Sequence, residues 1–201
     1  MKHYKYERTL VVIKPDGIQR SLVGEIIGRY ERVGLKLVGI KFFVPDDAFV
    51  ERHYTFEDGW VEKVGAKSIK NHLDKGLTPP SNDPKVVGGI ILANLRKYLT
   101  SGPVVAMVWQ GAHAVAVVRK LTGGTEPLSS DVGTIRGDFV LDSIQMAGDD
   151  NRAIRNLVHS SSSVEEAEKE IDHWFDEKEV LDYRLVQEGI LYDVNMDGTV
   201  E

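Results

Sequence analysis

Four short apolar runs along the chain predict the strands of a β-sheet. They cover residues 9–13, 37–44, 103–109 and 157–158. Val, Ile, Leu and aromatic residues dominate these runs, as is typical of buried strands. The last run leads directly into His159, which therefore lies on extended backbone. The sequence thus predicts a sheet of four strands.

Between these runs, apolar residues recur at spacings of three and four, which predicts helices. One such stripe ends at Gly34, a short one occupies residues 46–54, and a third occupies residues 112–121. A fourth helix is predicted after Ser163, because Ser163 and Glu166 have the spacing of a capping box, with an apolar stripe behind them.

The order of these elements predicts an α/β (α+β) fold with a ferredoxin-like, four-stranded antiparallel sheet and helices packed on it. We expect the helices on one face of that sheet. Residues 55–98 are interrupted by Gly and Pro, and a helix re-forms at residues 90–99. We interpret 55–98 as a helical insertion in a single domain that spans residues 1–201.

A long segment rich in Gly, Ser and Thr follows the third strand and its helix. It covers residues 123–138 and shows no apolar periodicity. Structureless loops of this length are uncommon within a domain, and those that occur are usually functional. The next residues, 139–144, are predicted to be extended.

Composition narrows the classes of function. A net charge of −6 and a pI near 5.6 argue against general nucleic-acid binding. The chain has no cysteine, which excludes disulfides and thiolate metal sites. No apolar run approaches the roughly 18 residues of a membrane span, and residues 1–8 lead into no signal-peptide core. We therefore expect a cytoplasmic protein with no membrane or nucleic-acid partner.

His159 and Glu170 are the first candidates for chemistry. In one continuous helix they would be about 16 Å apart, at 1.5 Å per residue. Because His159 precedes the helix, the chain can fold back and bring the carboxylate to the ring. Such a carboxylate would fix the tautomer and leave the other ring nitrogen free to attack. We expect Glu170 at the border between the apolar stripe and solvent; this stretch alone favours an ordinary histidine and a solvated carboxylate.

Lys14 is the second candidate, because it ends the first strand just before the turn at residues 15–17. A lysine in that position faces a cleft, or is simply a solvated charge at a strand end. The chain has no G-x-x-x-x-G-K-[ST] motif, so a P-loop is excluded as the phosphate-binding element.

Several stretches, taken together, closely resemble the nucleoside diphosphate kinase family. They occur in the family's order along the chain. The matching stretches are residues 9–20, 101–107, 133–139 and 156–175. The resemblance implies a ferredoxin-like core and Mg²⁺-dependent, ping-pong transfer of a γ-phosphoryl group between nucleoside tri- and diphosphates. It also implies a phosphohistidine intermediate and a homo-oligomer, commonly a hexamer.

The resemblance also implies roles for individual residues. The family's nucleophile falls on His159, its orienting carboxylate on Glu170, and the serine that bonds this carboxylate on Ser161. The implied nucleotide-binding residues are Lys14, Tyr54, Arg119, Thr125 and Arg136 on the phosphates, Asn156 on the ribose and Leu95 on the base. Lys14 is counted with the catalytic residues as well. Mg²⁺ is expected on the β- and γ-phosphate oxygens, with few or no protein ligands.

Besides the unusual length of residues 55–98, the chain departs from the family pattern at three places. The usual His-Gly-Ser is replaced by His159-Ser160-Ser161, and residues 140–155 form a second, shorter insertion. The family's base-stacking phenylalanine aligns near Ile91, where this chain has no aromatic residue. We therefore expect the base to be held loosely, with a ring at the start of the insertion as the alternative contact. Those rings are Phe56 and Trp60.

A non-catalytic nucleotide-binding regulatory protein on the same fold is the alternative function. Such a protein would most simply have lost the histidine, the lysine or an arginine. His159, Lys14, Arg119 and Arg136 are all present, which favours the enzyme.

Overall fold

A computed structural model describes residues 3–74 and 76–199. Its centre is a four-stranded sheet in the order β2-β3-β1-β4, in which all three neighbouring pairs are antiparallel. This confirms the predicted ferredoxin-like sheet. The strands are β1 (Glu7–Ile13), β2 (Lys36–Phe43), β3 (Val104–Gly111) and β4 (Val158–Ser160).

Most helices of the described residues lie in the connections between these strands, and the last two follow β4. The first five are α1 (Pro15–Gln19), α2 (Val23–Arg32), α3 (Asp47–Tyr54), α4 (Trp60–Asp74) and α5 (Pro84–Leu99). The others are α6 (Ala114–Thr122), α7 (Ile135–Phe139), α8 (Ile144–Asp149), α9 (Val164–Trp174) and α10 (Glu188–Leu191). Short 3₁₀ turns occupy His3–Tyr6, Pro127–Ser129 and Glu177–Glu179.

Helices cover both faces of the sheet, so the expectation of one covered face is wrong. Alternate residues of β1 and β3 enter two separate apolar clusters, one with α2 and α6, the other with α3, α5 and α9. The physical reason is visible in the sequence: β1 and β3 are continuous apolar runs, and such runs are typical of strands buried on both sides.

The insertion at residues 55–98 contains two helices, of which the sequence predicted only part of one. Asp83 caps α5 through the Lys85 N–H, and Pro84 occupies its first turn, so this helix begins before residue 90. Glycines allow α4 and α5 to approach closely. A Cβ on Gly65 would lie 1.9 Å from the Pro84 carbonyl oxygen, and one on Gly88 would lie 1.9 Å from that of Val61. Gly65 therefore serves packing, whereas in the sequence it reads as a helix breaker.

The segment after α6 is more ordered than predicted. Residues 123–138 include the 3₁₀ turn and most of α7, which begins after Thr134 accepts the Gly137 N–H. The predicted extended stretch at 139–144 is confined to residues 140–143, with extended backbone at Val140 and Ser143, and it belongs to none of the four strands. The Ser143 side chain then caps α8.

The turn at residues 15–17 is the first part of the short helix α1, with Pro15 in its first position. Its Asp16 carboxylate accepts the Leu157 N–H, at 3.2 Å, and the Lys14 N–H donates to the Leu157 carbonyl. Leu157 is fully buried with φ at +65°, a conformation that non-glycine residues adopt rarely. These contacts anchor the end of β1 beside β4, where His159 lies.

Candidate active site

His159 lies on β4, paired with Val12 of β1. Its Nε2 is 2.7 Å from Glu170 Oε1, while Ser161 Oγ donates to Glu170 Oε2 at 2.6 Å. Ser161 Oγ in turn accepts the Leu10 N–H at 3.2 Å. The three side chains that the resemblance grouped are therefore in contact.

The predicted position of Glu170 at the border with solvent is wrong, because this side chain is only 2% exposed. The helix α9 packs along β1, and Ser161, just after β4, donates to the carboxylate. Ser163 caps α9 as predicted, although the Glu166 carboxylate accepts the N–H of Ser162 instead of that of Ser163. A buried carboxylate needs partners, and Glu170 has His159 and Ser161.

This arrangement fixes the tautomer of His159. A carboxylate can only accept, so the proton of a neutral His159 ring belongs on Nε2, and the lone pair belongs to Nδ1. The side chain is 18% exposed, which leaves the ring accessible from the cleft. Nδ1 is thus a nucleophilic nitrogen at the edge of a buried hydrogen-bond network.

His53 on α3 adjoins this network, and the sequence analysis missed it. The His53 and His159 ring centroids are 4.6 Å apart with nearly perpendicular planes, and His53 Nδ1 accepts from Trp174 Nε1 at 3.1 Å. The only sequence signal was its position next to Tyr54, which the resemblance did select.

His53, His159 and Glu170 place possible metal-ligand atoms within 4.8 Å of one another. The geometry does not fit a resident Mg²⁺, which prefers oxygen ligands in octahedral geometry. It also disfavours softer metals, because the His53 Nδ1 lone pair is directed at Trp174 and the Glu170 oxygens accept from His159 and Ser161. The three side chains are therefore better suited to hydrogen bonding than to binding a metal.

Lys14 is buried, contrary to the reading of a solvated strand-end charge. Its Nζ donates to Asn156 Oδ1 at 2.7 Å and lies 5.3 Å from the centre of the Tyr98 ring. Burial, reinforced by Arg136, lowers the pKa of Lys14 to about 7, although Asp16 opposes the shift. Asn156 connects Lys14 to the next loop, since its Nδ2 donates to the Thr125 carbonyl at 3.0 Å.

Arg136 is also buried, and it holds two segments of main chain together. Four of its hydrogen bonds go to carbonyl oxygens, and burial lowers the pKa of the guanidinium to about 10. The acceptors are Gly123, Gly124, Asn156 and Val158. Since a guanidinium has five N–H groups, one remains for a ligand. Arg119 on α6 is exposed, and its charge contributes to the lowered pKa of Arg136.

The remaining predicted residues surround these groups less closely. Tyr54, at the end of α3, is half-buried, and burial together with Glu170 raises the pKa of its hydroxyl. Thr125 is exposed in the loop after α6, and Leu95 is half-buried on α5. Within the described residues, no hydrogen bond or ring contact joins Leu95 to the other predicted site residues. Trp60 lies beside Tyr54, with ring centroids 5.6 Å apart.

The chain is similar to known proteins over most of its length. The family model described as nucleoside diphosphate kinase matches residues 7–63 and 89–180. A nucleoside diphosphate kinase from Pyrobaculum aerophilum is 46% identical over 180 residues, covering 88% of this chain and 98% of the relative. Nucleoside diphosphate kinase A from Homo sapiens is 40% identical over 187 residues, covering 93% of this chain and 97% of the relative.

The chain belongs to the nucleoside diphosphate kinase family. A crystal structure of the Pyrobaculum aerophilum NDP kinase superposes with a TM-score of 0.84 at 45% identity, covering 88% of this chain and all of the other. A transition state mimic of the Borrelia burgdorferi nucleoside diphosphate kinase, with bound vanadate and ADP, superposes with a TM-score of 0.75 at 32% identity; it covers 91% of this chain and 95% of the other.

These relationships confirm the predicted family, fold and enzyme class. The family model leaves residues 64–88 unmatched, inside the segment predicted as an insertion. The predicted domain division and the assignment of individual residues stay predictions. No helix in the ranges 3–74 and 76–199 is long and apolar enough to cross a membrane.

Proposed function

We propose that this protein transfers the γ-phosphate of a nucleoside triphosphate, mainly ATP, to a nucleoside diphosphate through a phosphohistidine on His159. The observation that carries the proposal is the 2.7 Å contact from His159 Nε2 to the buried Glu170. The lone pair on Nδ1 attacks the γ-phosphorus, and the bond to the β–γ bridging oxygen breaks, releasing the diphosphate with that electron pair. A β-phosphate oxygen of the second nucleotide then attacks the same phosphorus, and the N–P bond breaks. Such exchange maintains nucleoside triphosphate pools.

The cationic groups of the cleft support binding of the phosphates. Phosphoryl transfer depends mainly on positioning and on neutralising charge. We assign the polyphosphate to Lys14, Arg119 and the free N–H of Arg136, with Tyr54 and Thr125 as neutral donors. Asn156, already bonded to Lys14, is assigned to the ribose. Mg²⁺ enters on the β- and γ-phosphate oxygens as part of the substrate.

Labelling tests this function directly. Incubation with [γ-³²P]ATP and Mg²⁺ is expected to leave acid-labile, alkali-stable label on the protein, and addition of a nucleoside diphosphate should remove it. A non-catalytic nucleotide-binding protein would bind ATP and take up no label.

Glu170→Gln is expected to lower kcat by about 10–100-fold, the usual effect of removing a partner that orients a working histidine. The glutamine keeps the shape and loses the charge that stabilises the ring. Nucleotide affinity should be unchanged, since Glu170 is buried behind His159. Glu168→Gln on the exposed face of the same helix is the matched control. Unchanged kcat with weakened binding would contradict the assignment of Glu170.

Trp60 is our candidate for the contact with the base, instead of Leu95. Its ring lies beside Tyr54, with ring centroids 5.6 Å apart, so it adjoins the proposed nucleotide site. Stacking on an aromatic ring is worth about 1–3 kcal/mol per base in single-strand binders, so Trp60→Ala should weaken ADP binding by roughly tenfold. Trp60→Phe should retain most of the affinity. Equal affinities for all three proteins, measured by calorimetry, would favour the loosely held base.

The edge of the sheet supports self-association. Strand β2 is an edge strand, and Ile40, Phe42 and Val44 are all more than half exposed along it and just beyond it. Exposed apolar edges of this kind invite pairing with another chain. We propose a cytoplasmic homo-oligomer, a hexamer in preference to a tetramer, which a light-scattering mass would distinguish.

A further inference from the structure

His53 occupies a buried position between the proposed nucleophile and α9. It is 4% exposed, its ring is perpendicular to that of His159, and its Nδ1 lies 3.7 Å from Glu170 Oε1. Glu170 Oε1 therefore faces two imidazoles, one in hydrogen-bond contact and one just beyond it. Whether both rings can donate to Oε1 depends on which ring nitrogen of His53 carries the proton.

Trp174 determines that position. An indole N–H is only a donor, and it donates to His53 Nδ1 at 3.1 Å. Nδ1 must therefore be unprotonated, and the proton of a neutral His53 belongs on Nε2. Within the described part of the chain, Nε2 has no hydrogen-bond partner. Burial holds the pKa of His53 well below its usual value of 6.5, so the ring is neutral.

The consequence for Glu170 is simple. In this tautomer His53 presents no proton to Oε1 from Nδ1, so the carboxylate bonds His159 and Ser161 alone. If Nδ1 carried a proton, a movement of either side chain by somewhat less than about 1 Å would create a second N–H donor to Oε1. Glu170 would then be shared, and the His159 ring would be less firmly oriented.

We propose that the Trp174–His53 hydrogen bond keeps His53 Nδ1 unprotonated, so that Glu170 Oε1 accepts from His159 alone. The inference rests on the proposed function, because it assigns His53 and Trp174 a role through His159. Neither residue needs to touch the nucleotide.

The titratable groups around His53 come from four elements. His159 lies on β4, Glu170 and His173 on α9, Lys14 after β1, and Tyr54 is the next residue of α3. Burial raises the pKa of Tyr54 and lowers that of His173, so both are neutral near pH 7. His159 and Lys14 are retained in every variant compared below, and the double variant isolates the contribution of His53.

Trp174→Phe tests the proposal, because it removes the N–H and keeps an aromatic ring. Without that donor, His53 Nδ1 can take up a proton and pair with Glu170. On acidification, the rate of label uptake from [γ-³²P]ATP in single turnovers should then begin to fall at a higher pH than in the wild type. The acid limb is expected to move upward, because the substitution removes the hydrogen bond that keeps His53 Nδ1 unprotonated. The plateau rate should fall by less than about tenfold.

Trp109→Phe is the matched control. Trp109 is a fully buried tryptophan on β3 whose Nε1, unlike that of Trp174, has no hydrogen-bond partner among residues 3–74 and 76–199. Its variant should reproduce the wild-type pH profile. The double variant His53→Phe with Trp174→Phe has no titratable ring at position 53, so its acid limb should return to the wild-type position. Thermal melts confirm that each variant is folded.

Two results would overturn the inference: a Trp174→Phe profile that superposes on those of the wild type and Trp109→Phe, or an upward shift that persists in the double variant. A third measurement does not depend on activity. Long-range ¹H–¹⁵N NMR of the wild type should show His53 as the Nε2–H tautomer, and an Nδ1–H tautomer would refute the inference. If the wild type took up no label, the proposed function would fail, and the NMR result alone would decide the role of Trp174.

Discussion

His159→Ala is expected to bind nucleotide, take up no label from [γ-³²P]ATP and exchange no phosphate above background. The substitution removes the only nitrogen to which the proposed mechanism attaches the phosphoryl group. It leaves Lys14, Arg119 and Arg136 in place, so nucleotide affinity should be retained. Because the truncation also removes a hydrogen-bond partner of the buried Glu170, a moderate loss in the free energy of unfolding is expected, and thermal melts establish that the variant is folded.

His72→Ala is the control for this experiment, because His72 is an imidazole on α4 outside the proposed site. Its label uptake and exchange rate should match the wild type. Turnover of His159→Ala at the wild-type rate would eliminate the phosphohistidine mechanism, whichever residue carried the label.

Lys14→Met is expected to weaken ADP binding by about 10–100-fold at pH 6, since a hydrogen bond to a charged group contributes about 1.5–3 kcal/mol. The same substitution should stabilise the folded protein. Burial without a carboxylate in hydrogen-bond contact makes the charged form of Lys14 costly, which is why its pKa is lowered to about 7 from its ordinary 10.5. Removing that charge should raise the free energy of unfolding by roughly 1 kcal/mol or more at pH 6.

The pH dependence of that stabilisation follows from the same shift. Below pH 7 Lys14 is protonated in both states, and the folded state bears the full cost of the buried charge. Between pH 7 and 10.5 the unfolded chain binds more protons than the folded one, so the wild type gains stability as pH rises. The difference between Lys14→Met and wild type should therefore be largest at pH 6 and shrink toward pH 10.

Thermal melts at pH 6 and pH 9 measure this difference, with Lys169→Met, an exposed lysine on α9, as the control. A Lys14→Met protein that is less stable than wild type at pH 6 would show that the bond to Asn156 outweighs the cost of burial. Unchanged ADP affinity would remove Lys14 from the phosphate site.

Much of the fold was predictable because it depends on local spacing. The apolar runs gave β1, β2 and β3 to within two residues at each end, and the Ser163 cap located the start of α9. Positions that break a local rule were missed. Gly65 lies inside α4 because a neighbouring helix approaches too closely for a Cβ, and nothing in the adjacent sequence carries that information.

The sequence by itself determined the four strands, the helices between and after them that carry apolar stripes, and the placement of His159 ahead of a capped helix instead of within it. It also identified the family, because several motifs recur in the correct order. Only the tertiary structure decided that Glu170 is buried, that Lys14 is held with a lowered pKa, and that Trp174 donates to His53. Each of these depends on contacts between residues far apart in sequence, such as the 121 positions between Trp174 and His53. Desolvation and hydrogen bonding act through space, so a pKa or a tautomer follows from what packs around a group and not from its neighbours along the chain.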